Sequence, residues 1–201
     1  MAMVVVTLQA DLLASFSAMN GMMDGTGNAY HAEKMALAMK TYILTGITTT
    51  ADTGAAPGGS YAGIGTGTMT IDNEQLESDL QATFEAGYND DELAEHMATD
   101  IDNACKADNK VSETSTGTLT TSGGASGFSG PAVGKFTGDK SSLDTALKAI
   151  FKTMISMLSG GGNEYYAANL AIALDAYLRA GTITVQLKSP FTSGTGSGKL
   201  T

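Results

Sequence analysis

Apolar residues recur along this chain in a helical period, and the same recurrence appears more than once. Leu8, Leu12 and Phe16 fall at i, i+4 and i+8, which places them on one face of an α-helix. The set returns as Leu76, Leu80 and Phe84 at an offset of 68, and as Leu143, Leu147 and Phe151 at an offset of 135. Ala14, Ala82 and Ala149 accompany the three sets. A second helical stripe follows each one after a break of Gly, Asn or Asp. Its members are Ala32, Met35, Ala36, Met39, Tyr42 and Ile43, answered by Ala167, Leu170, Ala171, Leu174, Tyr177 and Leu178. The middle copy keeps Ala94, Met97, Ala98 and Ile101 at an offset of 62 from the first. Gly46 and Gly181 read as C-terminal stops of their helices.

Each second stripe runs into a short β-favouring segment: ITTT from Ile47, STGTLTT from Ser115 and TITVQL from Thr182. A Gly- and Ser-rich stretch with one proline comes next (Pro57, Pro131, Pro190), and it closes on Gly, Thr or Lys, an apolar residue, and Thr. The closing tetrapeptides begin at Gly67, Gly134 and Gly198. The pattern therefore predicts an α+β, mainly helical fold built from three tandem repeats of helix, helix, strand, Gly-rich loop and strand. The expected units are 1–70, 71–137 (acidic and divergent) and 138–201, packed as one domain. Their expected arrangement is a pseudo-threefold helical bundle with β-hairpins at one end. Stretches 51–68 and 121–135 read as long loops that a neighbouring subunit would order. The first seven residues, MAMVVVT, read as a β-favouring arm that pairs in trans or completes the third hairpin.

Composition narrows the function classes. Net charge is −10 with a pI near 4.4, and the 11 Lys and Arg residues are scattered, so a grip on a nucleic-acid backbone is not expected. No basic leader precedes the first apolar residues and no apolar run approaches the ~20 residues that span a bilayer, so neither export nor membrane insertion is expected. The single cysteine, Cys105, excludes an internal disulfide and leans toward folding in the cytosol.

Candidate chemistry is thin. The tail GTGSGKLT resembles a phosphate loop, but Ser193 stands where the first Gly belongs, Leu200 follows Lys199, and Lys199 matches Thr68 and Lys135 as ordinary repeat material. Gly63, Gly65 and Gly67 precede a strand-like segment rather than follow one, which is the wrong order for a nucleotide fingerprint. From Asp72 to Lys110 there are 12 of the 21 acidic residues and two basic ones, among them Asp90, Asp91, Glu92, Glu95, Asp100 and Asp102. The alternating ligands and tight Gly turn of a calcium loop are missing, and the early acids suit a helix N-terminus. His31 and His96, the only histidines, lack the partners of a zinc site or a nucleophile triad and are expected at the surface or an interface. Met19, Met22, Met23, Met35 and Met39 lie at helical spacing and read as core filler or as a contact face for a partner. No residue is nominated for catalysis, for a cofactor or for a metal.

The stretches TGITTTADTGAAPGGSYAGIGTGTMT and ITVQLKSPFTSGTGSGKLT, with the triplicated unit and the absence of Trp, resemble in style the structural proteins of tailed-bacteriophage virions. That resemblance implies a non-enzymatic part of the head, neck or tail, made in the host cytoplasm and acting through contacts with other virion proteins and copies of itself. Two alternatives are a surface binding module or adhesin, which would want an export signal, and an enzyme, which would want residues that break the repeat in one concave place.

Overall fold

The computed structural model describes residues 3–19, 22, 26–157 and 161–201. The element order is helix, helix, strand, strand, three times over. The first set is α1 (Val5–Met19), α2 (Gly27–Leu44), β1 (Thr48–Ala56) and β2 (Gly59–Met69). The second is α3 (Asn73–Glu85), α4 (Asp90–Lys106), β3 (Val111–Thr121) and β4 (Gly124–Thr137). The third is α5 (Lys140–Ile155), α6 (Gly162–Ala180), β5 (Thr182–Leu187) and β6 (Ser193–Leu200).

The strands overturn the expected fold class. They are not three separate hairpins attached to a helical bundle. All six join edge to edge, β1 through β6 in sequence order and β6 back onto β1, as one closed antiparallel barrel. The stretches 51–68 and 121–135, expected as loops, are the barrel itself. Gly63 pairs with both Asp52 and Gly117, and Gly127 pairs with Thr118. The true turns are two residues long, Pro57–Gly58 and Ser122–Gly123. Gly58 sits at φ 90, a conformation that a side-chain-bearing residue rarely takes.

The reason lies in the width of the barrel. Closing a sheet with six strands leaves less interior than eight strands, which is already just enough for side chains to fill. Inward positions therefore cannot all carry side chains, and the chain divides the labour by strand. The odd strands supply the filling: Thr48, Thr50 and Asp52 from β1, Val111, Glu113 and Ser115 from β3, Ile183, Val185 and Leu187 from β5. The even strands face them with Gly63, Gly65 and Gly67, Gly130, Ala132 and Gly134, and Gly194, Gly196 and Gly198. A methyl group on Gly65 would overlap the side chains of Thr50 and Glu113, and one on Gly196 would overlap Asp52. Glycine at every second position lowers strand propensity, so a strand built this way reads as a loop.

The helices form a closed ring above one mouth of the barrel, each packing on the next and α6 returning to α1. Their inward stripes are the periodic apolar residues. Leu8, Leu12, Leu76, Leu80, Leu143 and Leu147 are all buried, as are Met35, Met39, Met97, Leu170 and Leu174. Met69, Phe136 and Leu200, the apolar members of the three closing tetrapeptides, plug the mouth beneath the ring. Asp72, Asn89 and Asp139 cap α3, α4 and α5 through their side chains, and Asn89 forms a reciprocal capping box with Glu92.

Gly46 and Gly181 do end their helices, Gly181 as the C-cap of α6 at φ −59; a side chain there would strike Phe136, and one at Gly46 would strike Met3 and Leu200. Close approach of the helix ends to the barrel plug is what requires them. The amino-terminal arm is not a strand. The helix starts at Val5, and Met3 is buried at the ring–barrel junction, where its carbonyl accepts a bond from Arg179 at 2.9 Å; Met1 and Ala2 lie outside the described residues. Of the methionine series, Met35 and Met39 are core, Met19 and Met22 are half-buried, and Met23 lies outside the described residues.

The division of labour between strands has a direct test. Gly196→Ala should lose about 1–3 kcal/mol of unfolding free energy in a denaturant titration, because the methyl overpacks the lumen. The outward-facing Ser197→Ala on the same strand should stay within about 0.5 kcal/mol of the parent. Equal effects at the two positions would mean that β6 faces the lumen with its other side.

Candidate functional site

Two places in the molecule break the threefold repeat with polar side chains. The first is inside the barrel. Thr50 and Glu113 occupy equivalent positions of β1 and β3, as do Asp52 and Ser115, each pair 63 residues apart. The matching positions of β5 carry Val185 and Leu187, so the lumen is polar on two sides and apolar on the third. Thr50 Oγ1 lies 2.7 Å from Asp52 Oδ1 and 2.6 Å from Glu113 Oε2. Ser115 donates to Asp52 Oδ2, and Tyr61 reaches Ser115 Oγ at 2.8 Å. All five side chains are buried, and among the described residues no Lys, Arg or His is hydrogen-bonded to them.

Four short oxygen–oxygen contacts are served by the three hydroxyls of Tyr61, Ser115 and Thr50, so the single Thr50 hydroxyl is shared between Asp52 and Glu113. Glu113 Oε1 has no partner among the described residues. Thr48 Oγ1, one layer nearer the helices, is likewise without a partner. A substrate has no way to this group, because the glycines of β2 and β6 close directly over it. It is an interior brace joining β1, β2 and β3.

The second place is on the pseudo-threefold axis, at the end of the helix ring away from the barrel. Phe16, Phe84 and Phe151, the third members of the three leucine sets, converge there over a cavity of about 310 Å³. His31, Leu93 and Tyr166 hold equivalent positions on α2, α4 and α6, so one repeat places an imidazole where the others place apolar or aromatic groups. The His31 ring lies 4.2 Å from Phe16 and 5.0 Å from Phe84, centroid to centroid. Its Nδ1 is 3.1 Å from Ser15 Oγ, and its Nε2 is buried without a partner. Burial lowers its pKa to about 4, so the ring is neutral at physiological pH. Phe84, expected in the core with its leucines, is only half-buried and lines this cavity.

The residues singled out from sequence fall elsewhere. His31 is 4% exposed, not a surface residue, whereas His96 is exposed and stacks on Tyr88 at 4.2 Å. Cys105 is a free buried thiol pushed up to about 12 by desolvation, far from the thiolate range. Asp90, Asp91 and Glu92 form the first turn of α4, where they meet the positive end of the helix dipole. Among the described residues, no group of three or more His, Cys, Asp or Glu side chains is placed to hold a metal ion. Lys199 donates from the barrel rim to the carbonyl of Ala180.

Sequence reasoning missed two features. The relay lay hidden because Asp52 sat in an assumed loop; the signal was the alternation Thr48, Thr50, Asp52 matched by Val111, Glu113, Ser115. The second helices of the repeats, α2, α4 and α6, also carry Tyr–Asp links. Tyr177 donates to Asp102 on α4 at 2.5 Å, and Tyr42 donates to Asp175 on α6. The third link of that ring is absent because Lys40 and Ala104 occupy its positions. No family model, curated protein or solved structure matches the chain.

Two measurements check these assignments. Asp52 accepts from two hydroxyls and Glu113 from one, so Asp52→Asn should cost about 2–3 kcal/mol and Glu113→Gln less than about 1 kcal/mol. The reverse order in chemical denaturation would make Glu113, not Asp52, the hub of the network. For His31 the folded pKa lies below the unfolded value of 6.5. The unfolded chain therefore takes up the proton first, and stability falls as pH drops from 6.5 toward about 4 and then levels. Between pH 7 and 4.5 the parent should lose about 2–3 kcal/mol more than His31→Leu. Equal losses would show that His31 is not the group responsible.

Proposed function

We propose that this chain is a non-enzymatic structural component of a tailed-bacteriophage virion, associated with the capsid, neck or tail. It works through contacts with copies of itself and with other virion proteins. The observation that carries the reading is the outer wall of the barrel. The chain has a net charge of −10, yet the only acidic residues on its six strands are Asp52 and Glu113, and both point into the lumen.

Outside, β1, β2 and β3 present Thr49, Thr53, Ser60, Thr66, Thr114 and Thr118, with Ile64 exposed among them. Lys135 and Lys199 are the only charged residues on the outward side of the barrel. Soluble surfaces ordinarily intersperse charge, and protein–protein interfaces exclude it from their centres. A wall of short hydroxyl side chains permits close approach of another flat surface and can hydrogen-bond to it in many registers. The hairpin of β3 and β4 supports the same reading. It runs beyond the part of β4 that pairs with β5, and its Gly124 to Gly127 tip is exposed. Among the described residues, no helix is long and apolar enough to cross a membrane.

Placing charge on the wall tests the proposal. The parent chain should self-associate in sedimentation velocity, and Thr49→Glu combined with Ile64→Glu should shift it to monomer with little change in melting temperature. A parent and variant with the same mass distribution would contradict it.

A further inference from the structure

The structure assigns a second role to the axial cavity: we propose that it is a binding site for a small aromatic molecule carrying one hydroxyl or N–H group. The ring of the ligand would stack among Phe16, Phe84 and Phe151, and its polar group would meet His31 Nε2.

Four observations carry this. The cavity, about 310 Å³, exceeds the roughly 150 Å³ that suffices for a benzene ring in a protein interior. Its lining is aromatic and thioether, with Phe16, Phe84, Phe151, Tyr166, Met97 and Met154 supplying ring faces and polarizable sulfur. Two of its other polar side chains are engaged elsewhere: Asn28 donates to the carbonyl of Phe84 at 3.1 Å and Thr83 to Asp100 at 2.7 Å. Of the cavity-lining side chains, His31 brings a buried hydrogen-bonding atom that nothing among the described residues satisfies, and an unsatisfied buried polar atom of this kind calls for a partner.

The repeat makes the case sharper. The equivalent positions carry Leu93 and Tyr166, so packing at this level of the ring does not need an imidazole. A neutral imidazole gains nothing from facing apolar side chains. It gains a hydrogen bond from a ligand that brings a donor or an acceptor, because the free nitrogen is one or the other according to the tautomer that Ser15 selects. All six helices contribute to the wall, through Phe16, His31, Phe84, Leu93, Phe151 and Tyr166, so occupancy would tie the six helix ends together.

The test uses phenol and toluene, which share shape and differ in one hydroxyl, titrated into the full chain and followed by NMR. Phenol should bind saturably, with shifts confined to Phe16, His31, Phe84 and Phe151, and at least as tightly as toluene. A cavity with apolar walls alone prefers toluene, since the phenol hydroxyl would be stripped of water without a partner. His31→Leu, which copies the second repeat, should weaken phenol about tenfold and leave toluene unchanged. Binding of toluene with exclusion of phenol, or binding of neither by the parent chain, would overturn the proposal. The comparison on the parent chain decides the matter even if His31→Leu fails to fold.

Discussion

The narrowness of a closed six-stranded barrel is the constraint on which the rest of this structure depends. Six strands cannot enclose two full sets of side chains, so β2, β4 and β6 carry glycine at many of their inward positions, and Gly65 and Gly196 bring backbone against the side chains of β1 and β3. Every strand edge in the paired region is thereby satisfied, and no hairpin has to stand alone. The same closure explains where the helices sit. Each pair of helices enters and leaves through the mouth plugged by Met69, Phe136 and Leu200, and Gly46 and Gly181 let the helix ends come down onto that plug.

Departures from threefold symmetry carry the individuality of the molecule. In the lumen, the third repeat offers Val185 and Leu187 where the first two offer Thr50, Asp52, Glu113 and Ser115. The result is a one-sided polar brace in an otherwise apolar filling. Buried polar networks of this kind add specificity when fully satisfied, because any slip of β1 against β3 would strand their members. On the axis, His31 takes the place of Leu93 and Tyr166 and gives the outer end of the ring a buried nitrogen with no partner among the described residues. The Tyr–Asp links of α2, α4 and α6 are likewise two of three, from Tyr42 to Asp175 and from Tyr177 to Asp102.

The helices were legible in the sequence because their burial is one-sided: Leu8, Leu12, Met35 and Met39 repeat at helical spacing, and each is buried. The strands were not. Their inward faces alternate filler with glycine, as in Gly63, Gly65 and Gly67, and that composition reads as linker until the partner strands are known. The relay was illegible for the same reason, since Asp52 and Glu113 meet only when β1 and β3 close around a common lumen. His31 looked like a surface residue because a lone histidine carries no sign of burial. What its position in the repeat did offer was the comparison with Leu93 and Tyr166, which are both core-forming types.

The central claim is that the outer wall of the barrel, which carries no acidic side chain, is a contact surface in a larger assembly. Electron microscopy of the associated species tests this most directly. The account predicts particles in which neighbouring subunits meet through the outer faces of β1, β2 and β3. Particles joined through the acidic helices α3 and α4, or a field of isolated monomers at high concentration, would contradict it.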